Sequence, residues 1–417
     1  MTKAKEKLYE HRYGLFFFLF LMGYSFIFSG GMQPWRVTEV GYSFHAVDFS
    51  IGFCTKLLPG AICNFLFDEI TKEKVTVYLN FLIILVFLTI AYFLEKLLLS
   101  NIKHKKALLI ISVFFLTGPA TFSIYLQIIS WLDFYWLIAA ILSIIFLQRK
   151  ETYILVIPAM LFAIMSHYAA ILCYVPFVCI YMLYKISDIK DKKEKVFLWL
   201  IWTVTVVSSL VLTAYMVINE VGNVKITYEE LTELLSSRDA RDYIYYKFNF
   251  YKDSMSELFT TEMFPEMEKY RIENIDPNQH PVIVLIKTII LQIKVNLMIN
   301  TLSDNIIHFL LVLPVAIFLY KMLWYQFNKS KENKLKCFSI LCQMMLYVVT
   351  VFFGCLFSED TIRWLSHATL PMFILFFFLY KNEGEEFRAE VDSTVEKTPI
   401  KAMLPFLVIY MGTVGVA

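Results

Sequence analysis

One pattern repeats along the chain: an apolar run close to the ~20 residues needed to cross about 30 Å of hydrocarbon, then a short charged cluster, most often of lysines. Only structures that satisfy their own backbone hydrogen bonds survive in lipid, and repeated runs of this length are read as helices. Of the 417 residues 58% are hydrophobic and 18% charged, and the mean hydropathy is +0.61. The expectation is an all-α, polytopic integral membrane bundle, embedded in the lipid bilayer.

The runs fall at 14–30, 75–99, 107–117, 123–147, 153–165, 169–184, 196–218, 305–325, 337–357, 368–380 and 402–417, about eleven spans. Gly118-Pro119 breaks the third run, and the paired short segments 153–165 and 169–184 meet at Ser166-His167-Tyr168, as expected of backbone that dips into the bilayer beside a cavity. The basic leader (Lys3, Lys5, Lys7, Arg12) precedes the first run, so the N-terminus is expected in the cytoplasm of a multi-pass plasma-membrane protein. Residues 31–74 then form the first extracytoplasmic loop, and 219–301 form a large outer loop followed by an interfacial amphipathic helix over 281–301. The run 402–417 ends without a polar tail, as expected of a chain that is truncated there.

A net charge of +2, with the Lys and Arg confined to loop clusters, argues against nucleic acid as a partner. The seven cysteines are scattered and no CxxC occurs, so neither a disulfide framework, nor a metal, nor a cofactor is expected.

Once topology has explained the lysine clusters, the remaining polar residues are one-sided. His45, Asp48, Asp133, His167, Glu359, Asp360, Arg363 and His367 all map to the outer boundary. Charges placed near a bilayer interior are costly and point to function. His45 and Asp48 are three apart in Phe44–Phe53, which on a helix puts both on one face.

An outward polar cavity suits an enzyme that transfers a sugar from a polyprenyl-phosphate carrier to a glycan acceptor. Asp48 is the expected general base, oriented by His45. Arg363 offers a planar fork to the departing phosphate, and His167 binds phosphate or sugar. Asp133, Glu359, Asp360 and His367 complete the expected substrate-binding set. Each has a structural alternative: Arg363 pairing with Glu359 or Asp360 at a solvated surface, His167 capping a broken helix, Asp133 tying spans together.

The outer-loop acidic residue, the short segment ending Ser166-His167-Tyr168-Ala169-Ala170 before a span containing Pro176, and the Arg363 turn before a late span resemble the EpsG/Wzy-like polysaccharide polymerases. The wider similarity is to GT-C-type integral membrane glycosyltransferases, and it extends over most of the chain as a layout. The resemblance implies a carboxylate base in the first outer loop, which maps onto Asp48 with Glu39 as the other acidic residue nearby. It also implies polyprenyl-linked sugar, a glycan acceptor and other envelope-assembly proteins as partners. The fourth run reads Ile129-Ser130-Trp131-Leu132-Asp133-Phe134-Tyr135-Trp136 where many such polymerases carry Arg-Gln. That departure weights the expectation toward glycosyl transfer in general. Two rival readings stay open: a transporter or flippase for a lipid-linked or anionic substrate, and a non-catalytic assembly subunit that binds a partner through 219–278.

Overall fold

The computed structural model describes residues 11–28, 37–118, 120–122, 125, 131–219, 225–240, 283, 286–287, 290, 302–357 and 361–397. Among them the fold is all-helical. The helices are α1 (Arg12–Phe28), α2 (Glu39–His45), α3 (Leu58–Leu66), α4 (Lys72–Ser100), α5 (Lys105–Thr117), α6 (Asp133–Phe146) and α7 (Val156–Ser166). They continue with α8 (Tyr174–Asp188), α9 (Lys192–Asn219), α10 (Tyr228–Ser237), α11 (Leu302–Lys329), α12 (Lys334–Phe357), α13 (Thr361–Asn382) and α14 (Glu385–Lys397). Most of the expected interfacial helix 281–301, and the run 402–417, lie outside the described residues.

Among the described residues four stretches are long and apolar enough to cross a membrane: Lys72–Ser100, Lys192–Val217, Lys334–Phe352 and Thr361–Asn382. Arg12–Phe26 and Asp133–Phe146 are shorter apolar helices. The exposed side of α4 explains the reading physically. Val77, Phe81, Leu85, Leu88 and Tyr92 form a helical stripe that faces outward, while Val75, Leu79, Ile83, Phe87, Ile90 and Leu94 are buried. A helix that is apolar on both faces belongs in lipid. On α9, Val196, Leu200, Val204, Val207, Val211 and Tyr215 repeat the pattern.

The axis of the bundle is α13. Of its apolar window 83% is buried, against 22–39% for the other three spans, so its neighbours and not lipid surround it. It packs on α12, α11 and α8. Phe115 of α5 meets Phe373 and Phe377 edge-on at 5.5 and 5.3 Å, and Phe93 of α4 meets Phe377 at 6.1 Å. Such edge-to-face pairs add to simple area burial.

The breaks expected at Gly118 and His167 are both present: α5 ends on Gly118 and α7 on His167. The start of α13 differs from expectation. Residues 358–367 read as an outer turn, yet the helix begins at Thr361 and takes Arg363 and His367 into its first two turns.

The two ends of the bundle are distinct. At one end the first loop and the 225–240 segment are tied together, by Lys225 N–H to Ile51 O (2.8 Å), Tyr42 Oη to Arg238 O (2.7 Å) and Arg238 Nη1 to Ala46 O (2.5 Å). At the other end the lysine-rich turns gather. Asn333 Nδ2 donates to Ser187 O at 3.1 Å, and Lys336 pairs with Glu383 at 2.6 Å and Asp188 at 3.4 Å. Here α14 lies across α11 and α5, its Phe387, Val391 and Val395 buried in a stripe at i, i+4, i+8.

His104, between α4 and α5, fastens α14 by Nδ1 to Asp392 (2.5 Å) and Nε2 to Glu385 (3.0 Å). Burial pulls its basicity down, but the hydrogen bonds to Asp392 and then Glu385 outweigh this and raise its pKa above 6.5. A group whose pKa rises on folding stabilises fully below its unfolded value and loses that contribution as pH climbs through the folded value. The contribution of this clamp is therefore expected to be complete below 6.5 and to fade above it. Thermal unfolding followed from pH 5 to 9 is expected to show that loss in wild type and a flatter profile in His104→Gln. Equal pH slopes for the two proteins would refute the assignment.

Candidate functional site

The N-terminus of α6 and the first two turns of α13 meet near the end that carries the first loop. Asp133 opens α6, where helix N–H groups favour a negative charge. Arg363 and His367 are four residues apart on α13, hence on one face. Asp133 stands between them: Oδ2 lies 3.8 Å from Arg363 Nε and Oδ1 lies 3.2 Å from His367 Nε2. The second approach is oblique enough that His367 Nε2 lies outside hydrogen-bond geometry. We read it as an electrostatic contact, since the distance is short and the angle is poor. Arg363 also stacks over Trp131, its Cζ 4.9 Å from the ring centroid.

His367 is 0% exposed and boxed by four aromatic rings: Trp136 at 5.2 Å, Trp364 at 5.5 Å, Tyr125 at 5.7 Å and Tyr174 at 5.8 Å. Its Nδ1 is 2.5 Å from Tyr125 Oη, and Tyr125 is in turn hydrogen-bonded to Tyr174. The indole Nε1 groups of Trp136 and Trp364 are buried and have no hydrogen-bond acceptor among the described residues. A buried donor left unsatisfied costs roughly 1–3 kcal/mol, so each of the two indoles calls for an acceptor.

His167 lies next to this box, its ring edge-on to Trp136 at 5.7 Å. It caps the 3-10 turn Tyr168–Leu172, with Nδ1 accepting from Ala169 N–H at 3.0 Å. The structural role weighed for it is present, and a neutral ring must then carry its proton on Nε2. Lys56, only 7% exposed and held at a left-handed φ of 71°, brings a second positive charge to bear on His167 alongside Arg363. Thr55 reaches the same turn, its Oγ1 accepting from Tyr168 N–H at 3.3 Å. Sequence reasoning passed over Lys56, Tyr125, Trp136, Tyr174 and Trp364 as site residues.

The pair placed first by sequence is arranged differently. His45 and Asp48 do not share a helix face, because α2 ends at His45 and Asp48 is extended, its carboxylate capping the next turn by accepting from Ser50 N–H at 2.7 Å. That local bond competes with continuation of the helix. The expectation that His45 orients Asp48 is corrected by the same geometry: its Nδ1 meets Gly41 O at 2.6 Å and its Nε2 meets Tyr135 Oη at 2.7 Å. Burial pushes His45 down to about 4, with the Gly41 carbonyl opposing. The neutral ring thus donates from Nδ1 and accepts from Tyr135. Glu39 is paired with Lys72.

The structure therefore brings Asp133, Arg363, His367 and His167 into one neighbourhood. His45 and Asp48 serve the first loop, and Glu359 and Asp360 lie outside the described residues. No family model, no curated protein and no solved structure matches this chain.

Proposed function

We propose that this chain is a GT-C-like membrane glycosyltransferase or polysaccharide polymerase that takes sugar from a polyprenyl-phosphate-linked donor at the extracytoplasmic face. In this reading it is a multi-pass plasma-membrane protein of about eleven spans with a cytoplasmic N-terminus. The observation that carries the reading is the convergence of cationic and N–H groups on one buried place. Arg363 and His367 flank Asp133, Arg363 and Lys56 both act on His167, and the buried indole Nε1 groups of Trp136 and Trp364, whose rings border His367, have no acceptor among the described residues. An acceptor-rich, negatively charged group such as the carrier phosphate complements that set.

Asp133 is the carboxylate best placed to take the acceptor hydroxyl's proton beside that phosphate, whereas the Asp48 carboxylate is committed to Ser50 N–H. The apolar faces of the bundle hold the prenyl chain. Purified protein in lipid, given polyprenyl-linked sugars and glycan acceptors, is expected to yield glycosidic products detectable by mass spectrometry. Movement of the lipid-linked donor across the bilayer with no covalent product would replace this reading with a flippase.

A further inference from the structure

We infer that Tyr125 is a positioning residue which locks His367 in the tautomer that carries its proton on Nε2, so that the ring offers the site a donor and not a lone pair. The argument is one of hydrogen-bond parity. A neutral imidazole has one donor nitrogen and one acceptor nitrogen, and a carboxylate only accepts. With Asp133 Oδ1 3.2 Å from Nε2, a lone pair there would face negative charge, so the proton belongs on Nε2. Nδ1 must then accept, and the group 2.5 Å away is Tyr125 Oη, whose hydroxyl is thereby committed as donor. Its oxygen in turn receives the hydroxyl proton of Tyr174.

The donors run in one direction, from Tyr174 through Tyr125 and His367 into the space beside Asp133. Tyr125, Tyr174 and His367 are all 0% exposed, so bulk water does not substitute for either phenol. The two tyrosines come from different parts of the chain: Tyr174 begins α8, and Tyr125 lies between α5 and α6. The parity is thus a tertiary property. Its catalytic consequence rests on the transferase reading above: His367 Nε2–H hydrogen-bonds an oxygen of the departing phosphate. The tautomer itself does not depend on that reading.

The test is histidine-selective 15N solid-state NMR of the full chain in lipid bilayers, with the His367 signals assigned by their loss in His367→Gln. The expected wild-type spectrum shows a neutral ring protonated on Nε2. Tyr174→Phe is expected to keep that tautomer, because Tyr125 still donates. Tyr125→Phe leaves only the oblique Asp133 contact to hold that proton; it is expected to admit the Nδ1–H tautomer and to lower kcat at least about tenfold with KM little changed, since the binding groups remain while one donor is misplaced. A wild-type ring protonated on Nδ1, or on both nitrogens, would overturn the inference, and this reading needs no variant other than the assignment control. A wild-type Nε2–H ring in a protein that makes no glycosidic product would sink the transferase reading and leave the positioning role standing.

Discussion

Asp133→Asn is expected to reduce glycosidic product formation on the order of 100-fold or more, while Asp48→Asn keeps most of it. The two substitutions are matched in size and remove one negative charge each, so their difference reports environment. At position 48 the asparagine Oδ1 still accepts from Ser50 N–H, and Asn caps a turn about as well as Asp. At position 133 the loss has two parts. A general base typically contributes 10²–10⁴ in rate, and Arg363 and His367 are left facing an uncharged amide. Removing one partner of a buried pair costs about 3–5 kcal/mol, and the lower end applies here because the Arg363 side chain is 17% exposed. Arg363→Lys separates the parts, since it keeps the charge and loses the planar fork. It is expected to weaken donor binding more than it destabilises the fold. Full product from Asp133→Asn, with none from Asp48→Asn, would return the base to the first loop.

The long helices were legible because hydropathy and length alone determine them. The expected runs 75–99 and 196–218 match α4 and α9 to within a few residues, and Gly118 and the His167 turn stop their helices where the polar break stands in the sequence. What failed was the inference from charge to surface. Residues 358–367 read as an outer turn, with Arg363 pairing to Glu359 or Asp360 at a solvated surface as the structural alternative, but Arg363 and His367 have partners on other elements. Asp133 and Tyr125 receive them, and the helix continues through. The mixed-charge stretch after residue 381 holds no long apolar run, yet α14 buries an apolar stripe and turns its charges to α11 and His104. The aromatic box was illegible for a different reason. In a chain that is 17% aromatic, Tyr125, Trp136, Tyr174 and Trp364 are indistinguishable from interfacial or core rings until the fold places them around His367.

Gly60→Ala is expected to destabilise the protein by about 3 kcal/mol, the upper end of ordinary overpacking, although it adds a single methyl group near the start of a helix. A Cβ at residue 60 would lie 1.8 Å from Val47 O and 2.5 Å from Val47 C. These are backbone atoms, so no rotamer change relieves the clash; α3 must move off the Ala46–Asp48 segment. Gly23→Ala in α1 is the control, because a Cβ there meets nothing within 4 Å and alanine is the better helix former by ~1 kcal/mol. The two identical substitutions are thus expected to shift the thermal midpoint in opposite directions. The displacement also propagates. α3 packs on both α2 and α7, and α7 ends at His167, whose turn is joined to Thr55. Under the transferase reading, Gly60→Ala is therefore expected to lower activity even at temperatures where it remains folded, through His167 and Lys56. A protein carrying Gly60→Ala with wild-type midpoint and wild-type turnover would mean that α3 is not packed on the Val47 backbone, and the link between the first loop and the donor-rich site would fall with it.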